Sequence, residues 1–456
     1  MREVASACCG VPIAREHRDV MNAHSRGGGI YLGRVGHTWT YTGHGRSALV
    51  LGPTRSGKTT SLIIPNVLSH PGPVVSTSTK TELVEVTSPA RAELGDVAVF
   101  DPTGTAEIPR NVWRIGWNPI TGCDDWDRAM LTAVSMVEAT SGGRELDHWT
   151  ERAGALLATL LHAAGLDEVP LRRVVDWIDR RDAREARGIL EDNAVASPRA
   201  HALLEGICVT EEREQSSIWS STSGALRAYR SEAALTSSEG IQLDPDAFMS
   251  ESNTLYLCGA SRQQSLLAPL FVGVLSQLRD TAYDHHAMGL ESPGALFALD
   301  EVANIAPFPD LPNLISEGGG QGIVTLACLQ DLSQARRRWG DQARGFLSLF
   351  PVTVLLPGIA DGETLKLVRD LSGEVLHPMQ TFSQSGPWWK HSTSVSVSHT
   401  WRPQWTIDQV AQGTTDTALV LTPTNQLQEI SLTPSHRDHP WSLLRSSRDR
   451  TSLRSR

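Results

Sequence analysis

The sequence predicts an α/β fold in which an all-α segment is inserted into a domain with a central, mainly parallel β-sheet. Seven short apolar runs have the length and residue types of buried parallel strands. A long stretch with helical spacing and no clear strand separates the third run from the fourth. The seven runs are SALVLG (47–52), PVVSTS (73–78), VAVFDP (97–102), NTLYLCG (253–259), GALFALD (294–300), GIVTLACLQ (322–330) and VTVLLPG (352–358).

The chain length and the order of these patterns predict the domain organisation. A chain of 456 residues is too long for one compact core. We expect the α/β domain in two parts, 46–123 and 233–435, with the all-α domain at 124–232 between them. Residues 1–45 then form an N-terminal segment ahead of the α/β domain.

Composition is that of an ordinary globular protein with 40% hydrophobic and 20% charged residues. The net charge of -10 argues against a generally basic nucleic-acid binder, although a basic patch or channel lining is compatible with an acidic total. The six cysteines form no CxxC pair and none lies at zinc-ligand spacing with histidine. We therefore expect free thiols in a cytoplasmic protein.

No apolar run is long enough to span a membrane. The two best candidates, AGALLATLLHAAGL (153–166) and LFPVTVLLPGIA (349–360), are shorter than about 18 residues or interrupted by His, Gly and Pro. The first 20 residues also lack the apolar core of a secretory signal. These observations predict a chain without a transmembrane segment.

Two segments near the C-terminus have their own patterns. The alternation in STSVSVSHT predicts an edge hairpin. In the loop before it, Trp388 and Trp389 beside Lys390 fit either packing against the domain or stacking on nucleic-acid bases. Residues 436–456 are rich in Arg and Ser and predict a disordered tail, either solvated or in nonspecific contact with DNA or acidic lipid.

Residues 52–59, GPTRSGKT, match the phosphate-loop pattern GxxxxGK[ST] between an apolar strand and a helical stretch. The glycines let the loop curve so that its N–H groups face the phosphates, while the lysine reaches the β- and γ-phosphates and the threonine hydroxyl binds Mg²⁺. We therefore predict ATP and Mg²⁺ as cofactors. The predicted nucleotide-binding residues are Gly52, Pro53, Thr54, Arg55, Ser56, Gly57, Lys58, Thr59 and Thr60.

The run GALFALDE ends in two acids with different predicted roles. Asp300 is placed to hold Mg²⁺ together with Thr59, and Glu301 is placed to polarise an attacking water. Because a small-molecule kinase needs no second acid to activate water, the pair predicts ATP hydrolysis. Gln330 ends the next run, where its amide either senses the γ-phosphate or simply caps the strand. The predicted catalytic residues are thus Lys58, Glu301 and Gln330.

Four arginines follow that run in QARRRWGDQARG: Arg336, Arg337, Arg338 and Arg344. A ring ATPase completes its site with an arginine from the next subunit, which stabilises the transition state. The same residues fit a pore lining that contacts phosphates, or a solvated helix face. Arg55, between the two loop glycines, is a further candidate for contact with the nucleotide or a neighbouring subunit.

Taken together, the motifs resemble those of TraG/TraD-type conjugative coupling proteins of type IV secretion systems, in the same order. The resemblance covers roughly residues 28–430. It implies a RecA-like motor domain with an inserted all-α domain that contacts substrate or relaxosome, assembled as a homo-hexamer. It also implies ATP-driven pumping of single-stranded DNA, with its relaxase, into a secretion channel at the inner face of the membrane. The motifs are LGPTRSGKTTSLIIPNVL, VVSTSTKTELVEVTSPAR, FDPTG, WNPITG, ALFALDEVANI, LACLQDLSQA, TLKLVRDLSGEV and WRPQWTIDQV.

Two departures from the family pattern modify these expectations. Family members usually begin with transmembrane helices, so here the anchor is lost, lies on another chain, or is missing from a truncated start. We accordingly expect a cytoplasmic chain that is peripheral to the cell membrane. The family's acidic residue after the second strand is replaced by the Ser-Thr run of STSTKTEL, and we assign no role there to Lys80 or Glu82.

Two other functions remain open at this stage. A double-stranded DNA pump of the chromosome-partitioning or packaging type would use the same motor. A non-motor adaptor would instead recruit substrates and use ATP as an assembly switch. The intact acidic pair argues against an inactive enzyme.

Overall fold

The computed structural model describes residues 18–22, 24, 28–140, 148–290, 294–385, 392–414 and 416–445. Its strands belong to one large sheet and one separate hairpin. They are β1 (Tyr31–Val35), β2 (Thr38–Tyr41), β3 (Ala48–Leu51), β4 (Val74–Ser78), β5 (Val97–Phe100), β6 (Trp113–Ile115), β7 (Thr254–Cys258), β8 (Ala295–Leu299), β9 (Ile323–Leu329), β10 (Val352–Leu355), β11 (Glu374–Ser385), β12 (Ser392–Pro403), β13 (Thr417–Leu421) and β14 (Leu427–Ser431).

The large sheet has twelve strands among the described residues, in the order β2-β1-β14-β13-β10-β3-β9-β8-β4-β7-β5-β6. All seven predicted strands are present, and they occupy the middle of the sheet as an uninterrupted parallel block from β10 to β5. Most of their residues are fully buried, because helices cover both faces of a parallel sheet. The predicted α/β class with a mainly parallel central sheet is confirmed.

Four antiparallel strands extend the parallel block on one side. β13 pairs with β10, β14 with β13, β1 with β14 and β2 with β1. β1 and β2 belong to the segment 1–45 that the sequence placed ahead of the α/β domain, so the prediction that the domain starts at residue 46 is wrong. These outer strands are partly exposed and do not form continuous apolar runs.

The helices lie on the two faces of the sheet and in the segment between β6 and β7. A π-helical segment, Lys58–Ile63, runs directly into the first α-helix. No helix in the described part of the chain is long and apolar enough to cross a membrane. The α-helices are α1 (Ile64–Ser69), α2 (Glu82–Arg91), α3 (Trp126–Glu138), α4 (His148–Leu166), α5 (Leu171–Arg180), α6 (Arg184–Asp192), α7 (Pro198–Cys208), α8 (Glu212–Ala225), α9 (Glu232–Glu239), α10 (Pro245–Ser250), α11 (Gln264–Ala287), α12 (Val302–Ile305), α13 (Leu311–Glu317), α14 (Leu332–Trp339), α15 (Phe346–Leu349), α16 (Gly362–Leu371), α17 (Ile407–Ala411) and α18 (Trp441–Leu444).

Helices α3 to α9 follow one another where the sequence predicts the all-α insertion. Their shared core is built around α4, whose leucines Leu156, Leu157, Leu160 and Leu161 are fully buried. Trp117, just before the insertion, packs so closely on α11 that a Cβ at Gly273 would lie 2.2 Å from its ring. The boundaries at residues 124 and 232 stay predictions.

β11 and β12 form a two-stranded ribbon, separate from the large sheet, with twelve paired residues per strand. The predicted hairpin therefore exists, but it is not an edge of the large sheet. Its two faces differ, since cross-strand pairs such as Leu376–Trp401 and Phe382–Val395 place exposed apolar side chains on one of them. Trp388, Trp389 and Lys390 lie outside the described residues.

Residues 432–445, which we call the C-terminal strap, pack against the antiparallel strands. Trp441 is fully buried, with its ring centroid 5.3 Å from that of Tyr31 and 5.6 Å from that of Trp39. The prediction of a disordered tail at 436–456 is therefore wrong for 436–445, because burial of this indole and an Arg34–Asp438 ion pair of 2.6 Å hold the segment in place. Residues 446–456 lie outside the described part of the chain.

Candidate nucleotide-binding site

The strand order brings the predicted site segments together at one edge of the sheet. β3, β9 and β8 are neighbours and parallel, so their carboxyl ends lie side by side. The phosphate loop follows β3, Gln330 follows β9, and Asp300 and Glu301 follow β8. Ligands of open α/β sheets bind outside the carboxyl ends of the strands.

The phosphate loop is held by its backbone and by close packing at its first glycine. The Gly52 N–H donates to the carbonyl of Leu329 at 3.1 Å, which ties the loop to β9. A Cβ at Gly52 would lie 2.8 Å from the Leu356 Cβ, so no side chain fits there. Gly57 begins the following helix with a φ of 97°, a conformation that favours glycine. Arg55 is exposed at the tip of the loop, also with a positive φ.

Lys58 is buried beneath the loop that it belongs to. Its Nζ donates to the carbonyl oxygens of Gly52 at 2.6 Å and Pro53 at 2.8 Å. Burial of an ammonium group is costly unless its hydrogens are satisfied, and two loop carbonyls do so here. A phosphate oxygen would compete for the same hydrogens.

Thr59 and Asp300 join the phosphate loop to the end of β8. The Thr59 Oγ1 donates to the Asp300 Oδ2 at 2.5 Å. A hydroxyl and a carboxylate are the hard oxygen donors that Mg²⁺ prefers, and the two oxygens are already adjacent. The residues present therefore fit a magnesium ion.

The environment of Asp300 also favours a nearby cation. Burial raises the pKa of this carboxyl, and the charge of Glu301 raises it further, while the Thr59 hydroxyl and the Lys58 ammonium oppose the shift. The backbone of Asp300 is held by the neighbouring strand β4, since the Thr77 Oγ1 donates to the Asp300 carbonyl at 2.8 Å. A divalent cation would stabilise the ionised form.

Glu301 has a strained backbone. Its φ and ψ of 48° and 44° are in the left-handed region, which is uncommon for residues other than glycine. Its carbonyl accepts hydrogen bonds from the N–H groups of Asn304 and Ile305, so the residue begins α12 without continuing β8. Strain of this kind persists where surrounding structure imposes it, often at functional sites.

Gln330 lies beside the segment that follows Glu301. Its N–H donates to the Gln334 Oε1 at 2.9 Å, at the start of α14, and not to a neighbouring strand. The residue lines a cavity of about 430 Å³ together with Ala303 and Asn304. The cavity connects the end of β9 with the turn after the acidic pair.

The four arginines of α14 and its continuation differ in their contacts. Arg336 pairs with Glu363 at 2.8 Å, and Arg338 donates to the Ala139 carbonyl at 2.6 Å, with burial lowering its pKa to about 10. Arg344 is exposed and pairs only with the exposed Asp341 at 3.0 Å within the described residues.

Arg337 is exposed, lines the cavity beside Gln330, and makes no ion pair with any residue that the structure describes. Arg337 and Arg344 are therefore the two of the four whose guanidinium groups face solvent. A second cavity, of about 1010 Å³, lies between α3 and α14 and is lined by Arg336, Arg338 and Arg344. It contains none of the phosphate-loop residues or the acidic pair.

Thr77 is a site residue that the sequence did not single out. It lies on β4, the strand next to β8, where three successive hydroxyl residues are buried in an otherwise apolar block. Ser76 also bonds to β8, donating to the Ala298 carbonyl at 3.0 Å. Because buried hydroxyls need hydrogen-bond partners, the Ser-Thr run in this apolar strand was the sequence signal that could have identified Thr77.

Comparisons with known proteins agree with this geometry. A sequence model of the family described as "Type IV secretory system Conjugative DNA transfer" matches residues 12–428. Protein VirD4 of Rhizobium radiobacter is 38% identical over 90 residues, which are 19% of this chain and 13% of that protein. The chain thus aligns with only a small part of this curated relative.

Solved structures of a bacterial conjugative coupling protein have the same fold. The unbound monoclinic form of TrwBdeltaN70 is 16% identical, with a TM-score of 0.65 over 86% of this chain and 85% of that one. TrwB in complex with the ATP analogue ADPNP is 18% identical, with a TM-score of 0.61 over 86% of both chains. At these identities the likeness concerns the fold, and it confirms the RecA-like class.

Proposed function

The chain belongs to the family of conjugative DNA-transfer proteins of type IV secretory systems, and from that premise we propose that it is an ATP-hydrolysing coupling protein. It would move single-stranded DNA, with its relaxase, to the secretion channel. The observation that carries the enzymatic part is the 2.5 Å contact between the Thr59 hydroxyl and the Asp300 carboxylate, which unites the phosphate loop with the acidic pair.

The proposed cofactors are ATP and Mg²⁺. TrwB has been crystallised with ADPNP and with ADP and Mg²⁺, which agrees with this assignment. In this chain the loop N–H groups and Lys58 would bind the phosphates, and Thr59 and Asp300 would hold the metal. Mg²⁺ supplies charge neutralisation at the phosphates.

Glu301 and Gln330 are proposed to act on the γ-phosphate. Glu301 would orient the attacking water and accept its proton, and the left-handed backbone at this residue supports a position selected for function. Gln330 would sense the phosphate, and its contact with Gln334 would transmit the change to α14. Arg337 and Arg344 are the best candidates for a site in the neighbouring subunit of a homo-hexamer, because they are the exposed members of the cluster.

The wider setting follows from family membership. We propose that the ring stands at the inner face of the cell membrane, peripheral to it, and meets relaxase or relaxosome and channel components there. The helical segment between β6 and β7 is the proposed place for these protein contacts.

The proposal is tested with the purified chain and with mating transfer. We expect ATPase activity that single-stranded DNA stimulates and that Lys58→Ala and Glu301→Gln reduce by at least about 100-fold, with loss of transfer in both. Lys80→Ala is the matched control, since Lys80 is exposed and has no proposed role.

Two outcomes would favour the other functions. Stimulation by duplex DNA alone would indicate a double-stranded DNA pump. Normal transfer by Glu301→Gln, in a chain shown to lack ATPase activity, would indicate an adaptor for which ATP binding is sufficient.

A further inference from the structure

The helix that follows the phosphate loop has an unusual first turn, and a proline in the sequence leaves one of its carbonyls without a helical donor. Residues Lys58–Ile63 are π-helical, and the Ile64 N–H donates to the carbonyl of Thr59, five residues back. If this π-helical pattern continued, the N–H of residue 65 would donate to the Thr60 carbonyl, again five residues back. Residue 65 is proline and has no N–H.

The missing donor is replaced by the C-terminal strap. The Ser435 N–H donates to the Thr60 carbonyl at 2.8 Å. Ser435 is fully buried, and its hydroxyl accepts a hydrogen bond from the buried Arg445 at 2.9 Å. A buried N–H without an acceptor is costly, and Ser435 is fully buried, so this contact between segments far apart in the chain stabilises the turn.

The strap is anchored on the strand that also holds the helix. Asn66 exchanges hydrogen bonds with Tyr31, accepting from its N–H at 2.7 Å and donating to its carbonyl at 2.9 Å. Tyr31 in turn packs against Trp441 of the strap, and Arg34 of the same strand pairs with Asp438. Helix, strand β1 and strap therefore form one closed set of contacts.

We propose that the C-terminal strap positions the phosphate loop for Mg²⁺-nucleotide binding, through the hydrogen bond from Ser435 to Thr60. Thr60 is next to Thr59, whose hydroxyl contacts Asp300, so the turn that the strap completes carries the metal-binding hydroxyl. The inference rests on the proposed nucleotide function. Ser435 acts through its backbone and is a positioning residue.

The test uses the full chain and a fluorescent, non-hydrolysable ATP analogue, with Mg²⁺ and with EDTA. Ser435→Pro removes the N–H and should weaken binding with Mg²⁺ by about five- to ten-fold, as expected for the loss of one hydrogen bond. The loss should be smaller in EDTA, which a merely structural defect would not produce. Ser435→Ala retains the N–H and should change the affinity by less than about two-fold.

Pro65→Ala provides the reciprocal variant. It restores an N–H at the position from which the π-helical turn donates to Thr60, while Asn66 keeps the following helix against Tyr31. The double variant Pro65→Ala, Ser435→Pro should therefore regain most of the affinity, and the non-additivity of the two changes measures the shared hydrogen bond. Equal binding by Ser435→Pro and Ser435→Ala, or no recovery in the double variant, would overturn the proposal.

Hydrogen exchange of the amides at 61–64 tests the positioning without nucleotide. Ser435→Pro should speed their exchange by about five-fold, and unchanged exchange would contradict the strap contact. If Ser435→Pro does not fold, Asp438→Ala, which removes the ion pair that holds the strap to Arg34 of β1, takes its place with the same readouts. If Ser435→Pro speeds this exchange but the wild-type chain binds no analogue, the strap contact is supported and the nucleotide proposal is refuted.

Discussion

Replacement of Glu301 by glycine should make the protein inactive and more stable at once. Glu301 holds a φ of 48° and a ψ of 44°, and a non-glycine residue in this left-handed region costs roughly 1–2 kcal/mol. Glycine adopts the conformation without that strain, but it also gives the unfolded chain more freedom, which costs about 0.5–1 kcal/mol. The net expectation is a gain of about 0.5–1 kcal/mol in the free energy of unfolding.

Glutamine at the same position separates strain from chemistry. Glu301→Gln keeps the side-chain length and the strained backbone, so its stability should match the wild type within about 0.5 kcal/mol while hydrolysis is lost. Urea unfolding of the two variants and the wild type, with DNA-stimulated ATPase measured on the same preparations, gives both quantities.

A matched change elsewhere checks that the effect is local. Arg181 also has a left-handed backbone, at the end of α5, and Arg181→Gly should stabilise by a similar amount without loss of ATPase activity. A Glu301→Gly variant that is no more stable than Glu301→Gln would refute the claim that the strain at Glu301 is retained for its carboxylate.

Three further outcomes are expected. Burial lowers the pKa of His24 to about 4 and of His70 to about 3, so the neutral forms are favoured in the folded chain. Their contribution to the free energy of unfolding is complete above the unfolded pKa of 6.5 and is lost as the pH falls below it. The loss reaches up to about 2.7 kcal/mol per pH unit while the unfolded chain binds two more protons than the folded chain. Urea midpoints between pH 7 and pH 4 measure this slope, which His70→Gln should reduce. Gly52→Ala should abolish nucleotide binding in an otherwise folded chain, because its Cβ would lie 2.8 Å from a neighbouring Cβ; binding with unchanged affinity would contradict the packing of the loop. Arg337→Ala should reduce the ATPase activity of the assembled protein by at least about 100-fold and leave nucleotide affinity unchanged. Arg336→Ala should alter stability instead, since Arg336 is held by its ion pair with Glu363. Equal effects of the two variants would contradict a role of Arg337 in the site of the neighbouring subunit.

The middle of the sheet could be predicted from the sequence because each of its strands is buried on both faces. VVSTS and TLYLC are short, apolar or β-branched and bounded by turn residues, which is sufficient to predict a strand without knowledge of its neighbours. Strands β2 and β6 were missed because none of their residues is buried, so neither forms an apolar run. Their pairing depends on partners that the local sequence does not specify.

The same distinction holds for the site. The phosphate loop and the acidic pair are local patterns, and the rule that parallel strands end at one edge predicts that they meet. The arginines could not be ranked, because what separates Arg336 and Arg338 from Arg337 is contact with Glu363 and Ala139, which lie elsewhere in the chain. The strap was missed for the same reason.

The π-helical turn at Lys58–Ile63 also sets the helical phase of everything after it. One extra residue in a turn rotates the following side chains by about 100° relative to an uninterrupted α-helix. Asn66 faces Tyr31 in this shifted phase, and its two hydrogen bonds add to the strand pairing that holds β1 in the sheet. A single-residue insertion or deletion between the phosphate loop and Pro65 would therefore turn Asn66 away from β1. The length of this turn therefore links the proposed nucleotide site and the contacts of strand β1 in one constraint on the sequence.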